Sequence, residues 1–238
     1  MRVPELSVIV PVRNEEESIG ELAREIERAL DGAGIAWECL WINDGSDDGT
    51  AAVIDGLGSC HRRIDHRRSF GQSAALASGF RTARAGLLAT LDGDGQNDPA
   101  DLPGMLRRLE SEGLDMVNGW RKTRRDHWVR LLSSRIANGY RNLLTGEKIR
   151  DVGCAIRVFR REAALRVPVF KGMHRFFPTL FRIAGYDRIV EMPVRHRPRT
   201  RGTTKYGIHN RLWVGIVDTL AVIWMRYRLV FPEIKEKD

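Results

Sequence analysis

Two aspartates, Asp92 and Asp94, stand two residues apart in the stretch Ala89-Thr90-Leu91-Asp92-Gly93-Asp94-Gly95-Gln96-Asn97-Asp98-Pro99. An extended backbone sends side chains two apart the same way, so both carboxylates face one spot. Like charges in a confined site repel unless a cation lies between them. Oxygen donors with open positions suit Mg2+ or Mn2+, ions that commonly bridge to substrate phosphates. Gln96 adds a neutral oxygen. Taken alone, Asp-x-Asp is also the pattern of an ordinary acidic surface turn, because short motifs match by chance. Its weight comes from the elements around it.

Leu87 to Leu91 is an apolar strand that delivers the acidic turn, and Asp98-Pro99 opens the next helix with an N-cap and a first-turn proline. Upstream, Leu6 to Val12 is β-branched and nearly continuous in apolar character, which predicts a strand buried on both faces of a parallel sheet. Asn14 is placed to cap the following helix, with Glu17 in capping-box register, and Ile19, Leu22, Ile26 and Leu30 form its apolar stripe. A second strand, Trp37 to Asn43, runs into another acidic turn, Asp44-Gly45-Ser46-Asp47-Asp48-Gly49-Thr50. Asp47 and Asp48 read as turn and cap chemistry. Right-handed crossovers put these strands side by side with their C-terminal loops on one edge, where open α/β sheets bind ligands. A weak strand within 61–68, a small-residue helix within 71–86, a helix burying Leu102, Met105, Leu106 and Leu109, and a strand from Leu114 to Asn118 extend the pattern. The fold class is α/β. Beyond residue 120 the spacing predicts a helix over 128–144, strands over 152–159 and 189–194, and a basic loop from Arg195 to Gly207.

The chain has 238 residues and a net charge of +8, with basic residues concentrated at Arg121-Lys122-Thr123-Arg124-Arg125 and from Arg195 to Lys205. A basic face serves nucleic acid, anionic lipid or phosphorylated substrates, or is merely solvated. A nucleic-acid-binding protein would leave the Asp92/Asp94 pair unexplained, and no recognised module for that role is present. A nucleotidyltransferase would need a glycine-rich basic loop near the N-terminus, which is absent. The three cysteines, Cys39, Cys60 and Cys154, lack metal-type spacing and read as reduced thiols of a cytosolic protein. The N-terminus carries no signal-peptide apolar region. Leu212 to Phe231 is rich in apolar and aromatic residues but holds Asp218, Arg226 and Arg228. A spanning helix needs about 20 largely uncharged residues, so two readings remain open, an interfacial helix with aromatic and cationic anchors and an ordinary core helix.

In order and spacing, Val8-Ile9-Val10-Pro11-Val12-Arg13-Asn14-Glu15, Asn43 to Thr50 and Asp92-Gly93-Asp94-Gly95-Gln96 resemble family 2 glycosyltransferases. Asp151-Val152-Gly153-Cys154, Met173-His174-Arg175-Phe176 and Arg199 to Gly207 resemble the dolichol-phosphate mannosyltransferase branch and its bacterial polyprenyl-phosphate relatives. The likeness spans roughly residues 6–211. It implies a GT-A fold, a Rossmann-like, mixed but mostly parallel sheet flanked by helices. It also implies inverting transfer of a sugar from a nucleotide-sugar donor (a GDP- or UDP-sugar) to a polyprenyl phosphate. The expected division is a catalytic domain over 1–211 and a C-terminal amphipathic helix over 212–238, possible as a membrane-interface element.

By that resemblance, Asp92, Asp94 and Gln96 hold Mg2+ or Mn2+, which neutralises the departing diphosphate. Pro11, Arg13 and Glu15 form the first nucleotide-contacting segment, with Arg13 where an aromatic residue is frequent. Asp44 is the nucleotide carboxylate and Ile42 backs it. Gly93 lets backbone approach the donor, Arg121 assists, and Arg199 and Lys205 close over the donor from the basic loop. Arg130 and Ser134, four apart and so on one helix face, match the acceptor-phosphate pair; a guanidinium is well shaped for phosphate. An acceptor phosphate is already ionised and needs no strong base. Asp151 orients cations or takes a proton, and His174 lies on the acceptor side or is structural. The alternative is a saccharide hydroxyl acceptor, which would need a carboxylate base, with Asp151 the one candidate. The protein is expected at the cytoplasmic face of the membrane, peripheral and without its own spanning bundle. Movement of product across the bilayer would then fall to separate membrane proteins, and no nucleic acid partner is expected.

Overall fold

The computed structural model describes residues 3–122, 149–198 and 210–232, with only the backbone at 210–214. A seven-stranded sheet runs through it in the order β3-β2-β1-β4-β6-β5-β7. Its strands are β1 (Leu6–Val12), β2 (Trp37–Asn43), β3 (His61–Asp65), β4 (Leu87–Thr90), β5 (Met116–Trp120), β6 (Arg157–Arg160) and β7 (Ile189–Pro193). The first half is parallel, as expected: β1 pairs with β2 from Leu6↔Trp37 to Val12↔Asn43, and with β4 from Leu6↔Leu87 to Ile9↔Thr90. The strand after β4 in sequence does not continue the series. β6 inserts antiparallel between β4 and β5, matching Thr90 to Arg157 on one side and Asn118 to Arg157 on the other. It is also shorter than predicted, because residues 151–156 are irregular.

Strand alternation divides the core between the two faces of the sheet. On one face Val8, Val10, Trp41, Leu91 and Val117 meet α1 (Glu16–Asp31), α2 (Thr50–Asp55) and α4 (Leu102–Ser111). The predicted stripe of α1, Ile19, Leu22, Ile26 and Leu30, is fully or almost fully buried there. On the other face Ile9, Leu40, Leu88, Met116 and Phe159 meet α3 (Gln72–Thr82), α5 (Arg161–Arg166) and α6 (Phe177–Ile183). Asp98 accepts the Ala100 N–H at 3.0 Å before the short 3-10 turn Pro99–Asp101. Asn14 does not cap α1. It adopts a positive φ of 53° and turns its amide onto Asp47 of the neighbouring acidic loop, tying the two loops together.

The last helix, α7 (Asn210–Arg228), sets Val222 and Met225 against the second core cluster. Its other side exposes Val217, Leu220, Trp224 and Tyr227 at helical spacing. Among the described residues no helix is long and apolar enough to cross a membrane.

Candidate active site

The strand ends at the C-terminal edge of β1, β2 and β4 gather most of the residues singled out above. Asp92 and Asp94 follow β4, and both are partly buried. Burial, and after it the charge of Asp94, pushes the Asp92 carboxyl up to about 6. That is the behaviour of two crowded acids, which the opposing charges of Arg157 and Arg121 offset only in part. Asp94 accepts the Gln96 N–H at 3.1 Å, while Gly95 turns the chain at φ 69°. Gly93 has a packing reason for its missing side chain. A Cβ there would lie 2.7 Å from Val12 Cγ1 and 3.2 Å from the Pro11 carbonyl oxygen. Ser18 of α1 donates to the Gly93 carbonyl at 2.7 Å. The acidic turn is therefore clamped onto the end of β1 and the start of α1.

Asp44 is buried at the end of β2, and both of its oxygens are occupied. His66 Nδ1 (2.7 Å) and the Phe70 N–H (2.8 Å) meet one; the Ser69 hydroxyl (2.7 Å) and the Gly71 N–H (2.8 Å) meet the other. Burial alone would raise this carboxyl, but those bonds, the Phe70 N–H foremost, hold it below the ordinary value. In this conformation Asp44 organises residues 66–71. Gln72 then donates to Asp92 at 2.8 Å, so the two acidic sites are joined through the Gly71-Gln72 step. Ile42 is fully buried in the second core cluster and backs the strand end from beneath without surface of its own. Pro11 is partly buried. Arg13 is exposed and donates to Ser69 at 3.2 Å, and the Glu15 N–H donates to Thr50 at 3.0 Å.

Arg121 and Asp151 come together on the far side of the acid pair. Arg121 Nε and Nη2 grip the two Asp151 oxygens at 2.7 and 2.9 Å, and the Arg121 N–H adds a third bond at 3.2 Å. A carboxylate held in a two-pronged guanidinium bond orients that guanidinium. His174 sits against α3, with Nδ1 3.0 Å from the Ser73 hydroxyl, which also accepts the Gly172 N–H at 3.0 Å. Burial, then the charges of Arg175 and Arg157, draw His174 down to about 3 and keep it neutral. Arg130, Ser134, Arg199 and Lys205 lie outside the described residues.

Residues unremarked in the sequence complete the site. Arg197 pairs with Asp98 at 2.9 Å and with Glu25 of α1, and its backbone N–H donates to the Gln96 carbonyl at 2.9 Å. Gln96 in turn donates to the Arg197 carbonyl at 3.4 Å, which leaves its side-chain oxygen on the other side of the amide. Arg157 is 3% exposed beneath the site. Its one signal in sequence was a charge within the otherwise apolar stretch Ala155-Ile156-Arg157-Val158-Phe159.

The donor set fits a divalent ion of the Mg2+ or Mn2+ type. Among the described residues no group of three or more His, Cys, Asp or Glu side chains is placed to hold a metal. Two carboxylates and an amide oxygen leave positions for phosphate oxygens and water, as these ions prefer.

The model of the family described as "Glycosyl transferase family 2" matches residues 7–167, more than half of the chain and both acidic turns. The chain belongs to that family. It is a glycosyltransferase. A dodecaprenyl-phosphate galacturonate synthase of Rhizobium johnstonii is 40% identical over 233 residues, covering 94% of this chain and 68% of the relative. An undecaprenyl-phosphate 4-deoxy-4-formamido-L-arabinose transferase of Edwardsiella ictaluri is 32% identical, covering 96% and 72%. Among solved structures, glucosyl-3-phosphoglycerate synthase of Mycobacterium tuberculosis, in complex with Mn2+, UDP and glucosyl-3-phosphoglycerate, superposes with a TM-score of 0.70 at 19% identity. That match covers 94% of this glycosyltransferase and 80% of the solved chain and speaks for the fold. The same enzyme with Mg2+ and UDP gives a TM-score of 0.71, also at 19% identity, covering 94% and 79%.

Proposed function

We propose that this glycosyltransferase moves a sugar from a GDP- or UDP-sugar to a polyprenyl phosphate, with inversion at the anomeric carbon. The observation that carries the reading is the clamped Asp92–Asp94 pair at the sheet edge of a chain 40% identical to a dodecaprenyl-phosphate galacturonate synthase. Asp92, Asp94 and Gln96 would hold Mg2+ or Mn2+, as the solved relative is seen with either ion. When bound, the ion supplies charge neutralisation at the diphosphate. Pro11, Arg13, Glu15 and the segment fixed by Asp44 receive the nucleotide. Arg121, aimed by Asp151, binds phosphate oxygens, and Arg199 and Lys205 add cations. Arg130 and Ser134 hold the acceptor phosphate in line. That phosphate attacks as an anion, so no side chain need take its proton. Asp151 already serves Arg121, which supports this acceptor over a saccharide hydroxyl. The two relatives are named for different sugars, so the proposal fixes the acceptor class and leaves the sugar open.

The exposed stripe of α7 is proposed to lie on an anionic membrane surface at the cytoplasmic side, where a polyprenyl phosphate would be met. Trp224 and Tyr227 suit the headgroup level, and Arg228, 6.0 Å over the Trp224 ring, adds a cation beside them.

The test uses purified protein, Mn2+, radiolabelled nucleotide sugars and short polyprenyl phosphates. Label passing to the lipid, and lost in Asp94→Asn, is the expected result. Label passing only to a free saccharide would replace the acceptor assignment with the hydroxyl one.

A further inference from the structure

Arg157 is a buried cation whose direct bonding partners are neutral. Nε donates to the Asn118 side-chain oxygen at 2.8 Å, Nη2 donates to the Val152 carbonyl at 2.6 Å, and the guanidinium lies 5.1 Å over the Phe177 ring. Among the described residues no carboxylate forms an ion pair with it, although Asp151, whose charge it feels, pairs with Arg121. An enclosed charge with no directly paired carboxylate is expensive, and an apolar side chain of similar volume usually serves a core better. Packing alone gives no reason for an arginine here.

Its position gives one. Residues opposed in a ladder share a face of the sheet. Thr90 of β4 opposes Arg157, and Asn118 of β5 opposes it on the other side. Asp92, two residues beyond Thr90, falls on that same face at the edge of the sheet. The guanidinium is thus built into the floor under the acid pair, with its charge felt by Asp92 and Asp151 and enclosed by α6.

We propose that Arg157 is a positioning residue for sugar transfer, an internal cation that weakens the hold of Asp92 and Asp94 on a bare divalent ion so that the ion is held firmly only together with the donor's diphosphate. A lone divalent cation approaching the acids is repelled by Arg157. The same ion chelated by the donor's two ionised phosphates carries no net positive charge, so Arg157 does not repel it, and with a free nucleoside diphosphate the complex is negative and is attracted. One fixed charge therefore opposes the first species and not the second. This inference rests on the acid pair being the metal site.

The experiment measures Mn2+ binding by electron paramagnetic resonance at pH 8, without nucleotide and with UDP or GDP. Wild type should bind Mn2+ weakly alone and at least tenfold more tightly with one of the diphosphates. Arg157→Met should bind Mn2+ alone about tenfold more tightly than wild type while losing turnover, and Arg157→Lys should keep the wild-type Mn2+ affinity. A residue needed only for packing would lower metal affinity and turnover together. Arg157→Gln, whose amide can still donate to Asn118 or Val152, is measured alongside in case the methionine variant fails to fold. Folded neutral variants that bind Mn2+ no more tightly than wild type would overturn the inference, as would wild-type affinity equal with and without the diphosphates. If Asp94→Asn leaves Mn2+ binding intact, it is the metal-site reading that fails, a separate outcome.

Discussion

Asp151 separates two chemistries, and a double-mutant cycle with Arg121 decides between them. The pair is bonded at 2.7 and 2.9 Å with side chains only 5% and 13% exposed. Removing one partner of a buried ion pair costs about 3–5 kcal/mol; the residual exposure of Arg121 puts this pair at about 2–3 kcal/mol in stability. For turnover, a charge-assisted hydrogen bond from Arg121 to phosphate is worth about 1.5–3 kcal/mol, or roughly 10- to 150-fold in kcat/KM. Arg121→Gln should lose that much. Asp151→Asn should lose a similar amount, because it releases the guanidinium from its aim. If Asp151 acts chiefly through Arg121, the double variant falls no further than the worse single one, and the coupling energy is about 1.5–3 kcal/mol. If Asp151 instead takes a proton from the acceptor, Asp151→Asn removes a further 10²- to 10⁴-fold, on the order expected of a general base. The acid limb of the pH–rate profile would then vanish with it. The assay is initial rate against acceptor concentration for the four proteins. Losses that multiply, with a flattened acid limb, would refute the positioning role.

His174 makes stability depend on pH with a defined sign. Its folded value of about 3 lies below the unfolded 6.5, so between those values the unfolded chain binds the extra proton and stability rises with pH; that stability is complete above 6.5 and drains as pH falls toward 3. His174→Asn should flatten the drop in urea midpoint between pH 7 and pH 5, and an equal drop in both proteins would contradict the enclosed, neutral imidazole. Gly93→Ala should cost about 1–3 kcal/mol by overpacking, since its Cβ meets Val12 Cγ1 at 2.7 Å; a urea midpoint within experimental error of wild type would show that the turn yields. Trp224→Ser combined with Tyr227→Ser, at positions 60% and 78% exposed, should leave the melting temperature near wild type while weakening sedimentation with anionic vesicles at least tenfold, and unchanged sedimentation would remove the membrane assignment of α7.

The parallel half of this fold is written locally. The strand of Leu6 to Val12, the stripe of α1 and the Asp98-Pro99 helix start each depend on a few neighbouring residues, and the described chain forms all three. Asn14 shows where that logic stops. Its short-range option, capping α1, loses to a bond with Asp47, 33 positions away. Asp44 repeats the lesson within the site. Its type and place were legible, but its four donors come from residues 66–71, whose sequence shows no periodicity that would bring them there.

The acidic turn was legible because its residues lie within one loop, whereas the cations around it arrive by topology. Arg121 reaches its Asp151 partner 30 positions later, and Arg197 returns to Gln96 across 101 positions and to Asp98 beside it. Arg157 enters only because β6 runs antiparallel between β4 and β5. A sheet continued in parallel order would have set β5 beside β4 and kept Arg157 from that place. Insertion of one reversed strand thus determines which charge lies under the acid pair, and pairing order is a property that local spacing does not encode. The acids alone would favour any small cation. If they hold the metal as proposed, a fixed positive charge beneath them would let the edge of this sheet discriminate between a free ion and an ion already bound to a donor's diphosphate.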